Sequence, residues 1–248
     1  MEDKELQLNR CIDDFARRSF RNVADQDYIL ARMCLRDGLV GQFAWQSLQA
    51  LEKYLKGILL FNRQNTKKRD DAKKNYSHNI IALTESVEAL DELNFKLPKE
   101  CRGFLEYSCT QGVNRYSTSK FTCKGHQLHE LDEIVSFIRR YCQPIHEGQL
   151  IQDVTSIDRF AHFFIPNGYL EETLQKPDNP QCISLLWRNK VFNPECEEVN
   201  SRYASWSKPL LHFYPEHFDE ISKIVQFSPQ EKSMYLSMIN RNTTNKSP

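Results

Sequence analysis

The chain has 248 residues, 40% of them apolar and 27% charged, which suffices for a large hydrophobic core and excludes a wholly disordered chain or a small disulfide-stapled scaffold. Its 33 Lys and Arg balance its 33 Asp and Glu, so no global field draws it onto nucleic acid or an anionic membrane, and such binding needs a local patch. No apolar run reaches the roughly 18 residues that span a bilayer, and residues 1–18 are charged throughout without a signal-peptide core, so the expectation is a cytoplasmic protein with no membrane partner.

Few glycines and few runs of β-branched residues favour helices. From Asp25 to Arg63 there is no proline, and Asp37-Gly38 reads as a helix stop and restart between antiparallel neighbours. In the second of these helices Ala44, Leu48, Leu51, Leu55 and Ile58 make a core stripe, with Gln49, Glu52, Lys53 and Lys56 as a polar ridge behind it. That stripe leaves Trp45, Tyr54 and Phe61 uncovered, a surface either for a second copy of the chain or for its own C-terminal part. Residues 64–76 read as a solvated, charged loop. Ser77 is then the expected N-cap of a helix carrying Ile80, Ile81, Thr84, Val87 and Leu90. Pro98 opens a fourth helix with Phe104, Leu105 and Cys109 inward, and Leu128, Leu131, Ile134, Val135 and Ile138 mark a fifth.

The expectation is therefore a mainly α fold: an up-and-down bundle of about five helices over residues 1–147. Residues 148–248 read as an irregular, short-element appendage packed on the bundle, with a polar, frayed tail from 240. Seven of the ten prolines fall in this last third, which argues against long helices there. Ile183–Trp187 suits a short strand or a helical turn, and residues 215–225 and 230–239 suit helices. Trp187, Trp206, Phe213, Tyr214 and Phe218 are the expected clamp onto the bundle, or an exposed partner patch.

The run Asp27-Tyr-Ile-Leu-Ala-Arg32, then Gly38-Leu39, then Phe43 to Leu60 with its Gln-x-x-Glu-Lys-x-x-Lys core, resembles the HEPN family (higher eukaryotes and prokaryotes nucleotide-binding). Ser77-His78-Asn79 is similar to that family's His-Asp/Asn-Leu helix start, and Asn114-Arg115-Tyr116-Ser117 to its Arg-Tyr-Pro mark, with Ser in place of Pro. The resemblance covers roughly residues 20 to 143. It implies a helical bundle, a homodimer, and a nucleotide- or RNA-binding role, or the service of a partner such as a nucleotidyltransferase, in a bacterial defence, toxin–antitoxin or stress setting. Some members are metal-independent ribonucleases with an Arg-x4–6-His motif.

Two candidate sites follow. Lys53, Lys56, His78 and Arg115, gathered by bundle packing, would make a phosphate-binding cleft for a nucleotide or RNA; the plainer reading is an i,i+4 pairing of Glu52 with Lys56. Lys67, Lys68, Lys73 and Lys74 would add salt-sensitive affinity for a nucleic-acid backbone, or form a solvated charge run. The one pair with nuclease spacing is Arg140 and His146, whose chemistry would be proton removal from a ribose hydroxyl and stabilisation of phosphate charge. Its context departs from the family: Tyr141 follows the Arg and Pro144 interrupts the spacer.

Eight cysteines at irregular spacing read as reduced thiols. Cys123-x2-His126 and Cys142-x3-His146 imitate a zinc pattern, but a helix of about 15 residues would separate the halves by about 22 Å. No metal and no cofactor is expected, and the chain lacks phosphate-loop, nucleophile-elbow and dinucleotide fingerprints.

Overall fold

The computed structural model describes residues 2–66, 76, 78–112, 121–144, 165, 168–197, 199, 202–205, 214–224, 227 and 229–244. These residues are mainly helical. The first helix, α1 (Glu2–Ala16), runs through a π-helical turn (Arg17–Arg21) into α2 (Asn22–Arg36). Sequence reading assigned no helix before Asp25, because the apolar positions of α1 are sparse: Leu8 and Phe15 are more than half exposed.

Gly38 at φ +78° lets the chain reverse after α2, a left-handed conformation that glycine adopts without strain. Helix α3 (Val40–Phe61) then returns along α2. All five residues of the expected stripe, Ala44 through Ile58, are fully buried. Tyr54 and Phe61 are buried as well, and Trp45 is partly buried against the same core, so the apolar surface on which self-association was expected is largely covered within the chain. Helix α1 lies against α3, and Arg63 after α3 reaches back to it, donating to Asn9 Oδ1 at 2.9 Å and Asp13 Oδ1 at 2.7 Å.

Helix α4 (Ile80–Glu88) is capped by Asn79, whose Oδ1 accepts the amide of Ala82 at 3.0 Å. The cap therefore falls two residues beyond the expected Ser77: an Asn at this position reaches the third helical amide, and the buried face starts at once with Ile80. Helix α5 (Lys99–Gln111) begins after Pro98 and buries Phe104 and Leu105. Gly112 ends it against α3, where a Cβ would stand 2.7 Å from Leu48 Cβ and 2.9 Å from the Ala44 carbonyl. Strand β1 (Phe121–Lys124) precedes α6 (Gln127–Arg139), which buries Leu128, Leu131, Ile134, Val135 and Ile138.

Beyond the bundle, α7 (Tyr169–Leu174) and α8 (Pro180–Leu186) pack along α2, and Leu170, Leu185 and Val199 join the main core. Ile183–Leu186 is thus helical, with Pro180 in the first turn where its missing N–H costs nothing. Strand β2 (Arg202–Ser205) pairs antiparallel with β1, Cys123 opposite Tyr203. Then come a 3-10 turn (Pro215–His217), α9 (Phe218–Ser222) and α10 (Pro229–Thr244). Helix α10 has 16 residues, contrary to the expectation of short pieces and a frayed tail from 240. Its only proline opens it and interrupts no hydrogen bond. Of the expected aromatic clamp, Trp187 packs on the main core, Phe218 joins Phe227 and Tyr235 in a separate small cluster, and Tyr214 is exposed; Trp206 and Phe213 lie outside the described residues.

Two ionic networks lie inside this core. On α2, Asp25 receives Arg139 of α6, and Arg139 also holds Glu171 of α7 through Nη1–Oε1 and Nη2–Oε2 bonds of 2.8 Å. Arg32, also on α2, pairs with Asp132 of α6 and donates to the carbonyls of Ser184 and Trp187. Tyr28 donates to Asp132 at 2.7 Å and accepts from Asn189 at 3.0 Å. Both arginines are fully buried. Charges desolvated this deeply persist only when their donors are met, and each network meets them by drawing residues 168–189 onto the bundle.

Candidate functional site: a carboxylate-held histidine on the third helix

The polar ridge of α3 is turned toward α2 and the start of α4. Glu52, one turn before Lys56, is buried, and its two oxygens serve different partners: Oε1 accepts from Lys56 Nζ at 2.6 Å, and Oε2 lies 2.9 Å from His78 Nδ1. A carboxylate at Nδ1 favours the tautomer with the proton on that nitrogen, leaving Nε2 as the outward acceptor. The His78 side chain is 40% exposed, Glu52 only 11%. The imidazole is thus fixed from beneath and open from above. Trp45, two turns before Glu52, meets the His78 ring edge-on with centroids 5.5 Å apart.

Lys53 is paired with Asp27 of α2 and also donates to Gln49 Oε1 at 3.4 Å. Burial raises the Asp27 carboxyl above its ordinary value, while the Lys53 hydrogen bond and charge pull the other way. With Lys53 against Asp27 and Lys56 against Glu52, this face carries no excess positive field. Its capacity lies in placed groups: ammonium protons beyond those given to the carboxylates, an imidazole Nε2, and an indole.

The structure therefore brings Lys53, Lys56 and His78 onto one face. Arg115, Lys67, Lys68, Lys73, Lys74 and His146 lie outside the described residues. Arg140, the other half of the nuclease-spaced pair, stands at the end of α6. Its Nε donates to the Phe137 carbonyl at 3.0 Å, and its guanidinium lies 4.3 Å from the centroid of the Phe137 ring.

The cysteine–histidine pattern has structural employment. His129 is buried and its Nε2 accepts the amide of Val199 at 3.2 Å, while His126 stands 3.9 Å from Glu130. Among the described residues no cluster of three or more His, Cys, Asp or Glu is arranged to hold a metal ion, and all eight cysteines are free thiols. No helix among them is long and apolar enough to cross a membrane.

The sequence puts Glu52 on a polar ridge, paired with Lys56, and does not mark Asp27 and Trp45 as parts of the site. The usable signal was the spacing: positions 45, 49, 52, 53 and 56 share one helix face. Comparison with protein-family models, with curated proteins and with solved structures finds no match for this chain.

Proposed function

We propose that the chain is a HEPN-type module whose Trp45–Glu52–Lys53–Lys56–His78 face binds a nucleotide or the end of an RNA strand. The observation that carries this reading is the double engagement of Glu52, which holds Lys56 at 2.6 Å and His78 at 2.9 Å beside the Trp45 ring. Phosphate oxygens would take the remaining Lys56 and Lys53 protons. A base would find the indole edge and the acceptor Nε2 of His78. Because both lysines are already paired with carboxylates, the face suits one or two phosphates better than a long backbone track, and its affinity should depend only weakly on salt.

The family resemblance extends the proposal to a cytoplasmic homodimer acting in a bacterial defence or toxin–antitoxin setting, with a nucleotidyltransferase as a candidate partner. Thermal unfolding in the presence of a nucleotide panel and short RNA oligomers tests the binding. A ligand at about 100 times its Kd stabilises the folded state by about 2.7 kcal/mol, and the Lys53→Ala/Lys56→Ala variant should lose that gain. Absence of stabilisation by every nucleotide and oligomer would leave a scaffold role.

A second reading, a metal-independent ribonuclease, draws support from the same carboxylate-held imidazole, which has the form of a general base. RNA cleavage that survives EDTA and disappears in His78→Ala or His146→Ala would favour it, and intact RNA would remove it.

A further inference from the structure

We infer that Nε2 of His78 is a phosphoryl acceptor: a site of covalent modification that takes its phosphoryl group from a donor of the phosphoramidate or acyl phosphate class. The modification shares residues with the nucleotide-binding face but needs no bound nucleotide, so the two readings stand or fall separately.

An imidazole accepts a phosphoryl group when one ring nitrogen offers its lone pair to solvent, the other holds the proton against a fixed acceptor, and a cation stands ready for the incoming oxygens. His78 meets each condition. Glu52 Oε2 lies 2.9 Å from Nδ1, which places the proton there and the lone pair on Nε2. Nε2 has no hydrogen-bond partner among the described residues and is not a buried atom. With the side chain 40% exposed, a donor as small as phosphoramidate reaches it from solvent and no cavity is required. The Trp45 ring, edge-on with centroids 5.5 Å apart, keeps the imidazole from swinging off Glu52. Lys56 gives one proton to Glu52 Oε1 at 2.6 Å and keeps two for phosphoryl oxygens.

The other described histidines lack this set. His126 stands 3.9 Å from Glu130, beyond hydrogen-bond distance, with its side chain 49% exposed. His129 is buried, and its Nε2 accepts the Val199 amide. His217 is exposed and has only the Tyr214 ring beside it, at 6.2 Å between centroids. His126 and His217 are therefore internal comparators, open to a reagent but not held by a carboxylate.

In the transfer the Nε2 lone pair attacks phosphorus. An N–P bond forms as the donor's own bond to phosphorus breaks, and the leaving group departs with that electron pair, as ammonia from phosphoramidate or acetate from acetyl phosphate. The ring becomes an imidazolium whose Nδ1 proton the Glu52 carboxylate stabilises. Glu52 acts through His78 and is a positioning residue. Because it occupies Nδ1, the product is the Nε2 isomer of phosphohistidine.

The test incubates the full chain with phosphoramidate and, separately, with acetyl phosphate. Peptide mapping in alkali, which preserves phosphohistidine, gives the sites and rates, and phosphorus NMR gives the ring isomer. With at least one donor, His78 should be modified at Nε2 about tenfold or more faster than His126 and His217. Glu52→Gln should slow His78 by a similar factor and leave His126 and His217 unchanged. His78→Gln should abolish the fast modification, and His126→Gln should preserve it. The proposal is overturned if His78 reacts no faster than His126 and His217, if the phosphoryl group sits on Nδ1, or if a folded Glu52→Gln chain modifies His78 at the parent rate. The rate ratio and the isomer are read on the parent chain, so they decide the matter even where a variant fails to fold.

Discussion

Arg139 and Asp25 meet through two parallel hydrogen bonds, Nε to Oδ1 at 2.8 Å and Nη2 to Oδ2 at 3.0 Å, although 114 positions separate them in the chain. Both side chains are fully buried, so removal of one partner strands the other in the core. Asp25→Ala should cost about 3–5 kcal/mol in urea unfolding. A loss under about 1 kcal/mol would mean that the pair is solvated and does not organise the core.

Glu171 extends that pair to α7, and its Oε1 also accepts the amide of Ile165 at 2.8 Å. Glu171→Ala should therefore loosen α7 before it loosens the bundle. Hydrogen exchange is the measurement: amides of residues 169–175 should exchange faster while those of α3 keep their protection. Uniform acceleration in both would place Glu171 in the global unfolding unit instead.

Burial holds the Asp27 carboxyl above its ordinary value of 3.8 against the attraction of Lys53. Between 3.8 and the raised value the folded chain binds more protons than the unfolded chain, so the Asp27 contribution to stability falls as pH rises. Asp27→Asn has no proton to release. Urea unfolding from about pH 3 to about pH 7 should show the variant gaining on the parent chain as pH rises, then levelling once the folded carboxyl is ionised. A variant that loses ground over this range would show that the Lys53 pair outweighs the burial.

The helices from α2 to α6 were legible because their apolar positions recur at helical spacing, as in Ala44, Leu48, Leu51, Leu55 and Ile58, all buried. The interior charges were harder to read, although Asp132 and Arg139 fall in step with the buried Leu128 and Val135 on α6. That spacing was a usable signal. Their partners were not foreseeable: Glu171 and the carbonyls of Ser184 and Trp187 come from distant segments, and only tertiary packing joins them to Asp25 and Arg32. In the site, the lysines and His78 stood out in the sequence and Glu52 was read as the partner of Lys56, but its burial and its second bond to His78 were not legible, because a buried carboxylate and an exposed one are written alike. Helix α1 escaped notice for a related reason: with Leu8, Cys11 and Phe15 exposed, its periodicity does not separate an inner from an outer face.

Thiol chemistry offers a check on the packing. Cys11 is exposed, whereas burial pushes Cys123 up to about 12 and raises Cys142 further from the reactive range. In a native chain, a disulfide reagent at neutral pH should modify Cys11 rapidly and leave Cys123 and Cys142 unmodified until denaturant is added. Peptide mapping of the modified chain reads the order. Early labelling of Cys142 would contradict the packing of the turn after α6 against Tyr54, whose carbonyl accepts from the Cys142 sulfur at 3.2 Å.

The most direct test of the nucleotide-binding face is an equilibrium titration of the full chain with nucleotides and short 5′-labelled RNA, repeated with Lys56→Ala, His78→Ala and Glu52→Gln. Each of these variants removes or misplaces a group that the face presents to its ligand, with a lost charge-assisted hydrogen bond worth about 1.5–3 kcal/mol. The account predicts saturable binding to the parent chain and at least tenfold weaker binding to all three variants, with circular dichroism unchanged. Equal affinity in the parent and the three variants, or no binding by a parent chain that is folded, would contradict it.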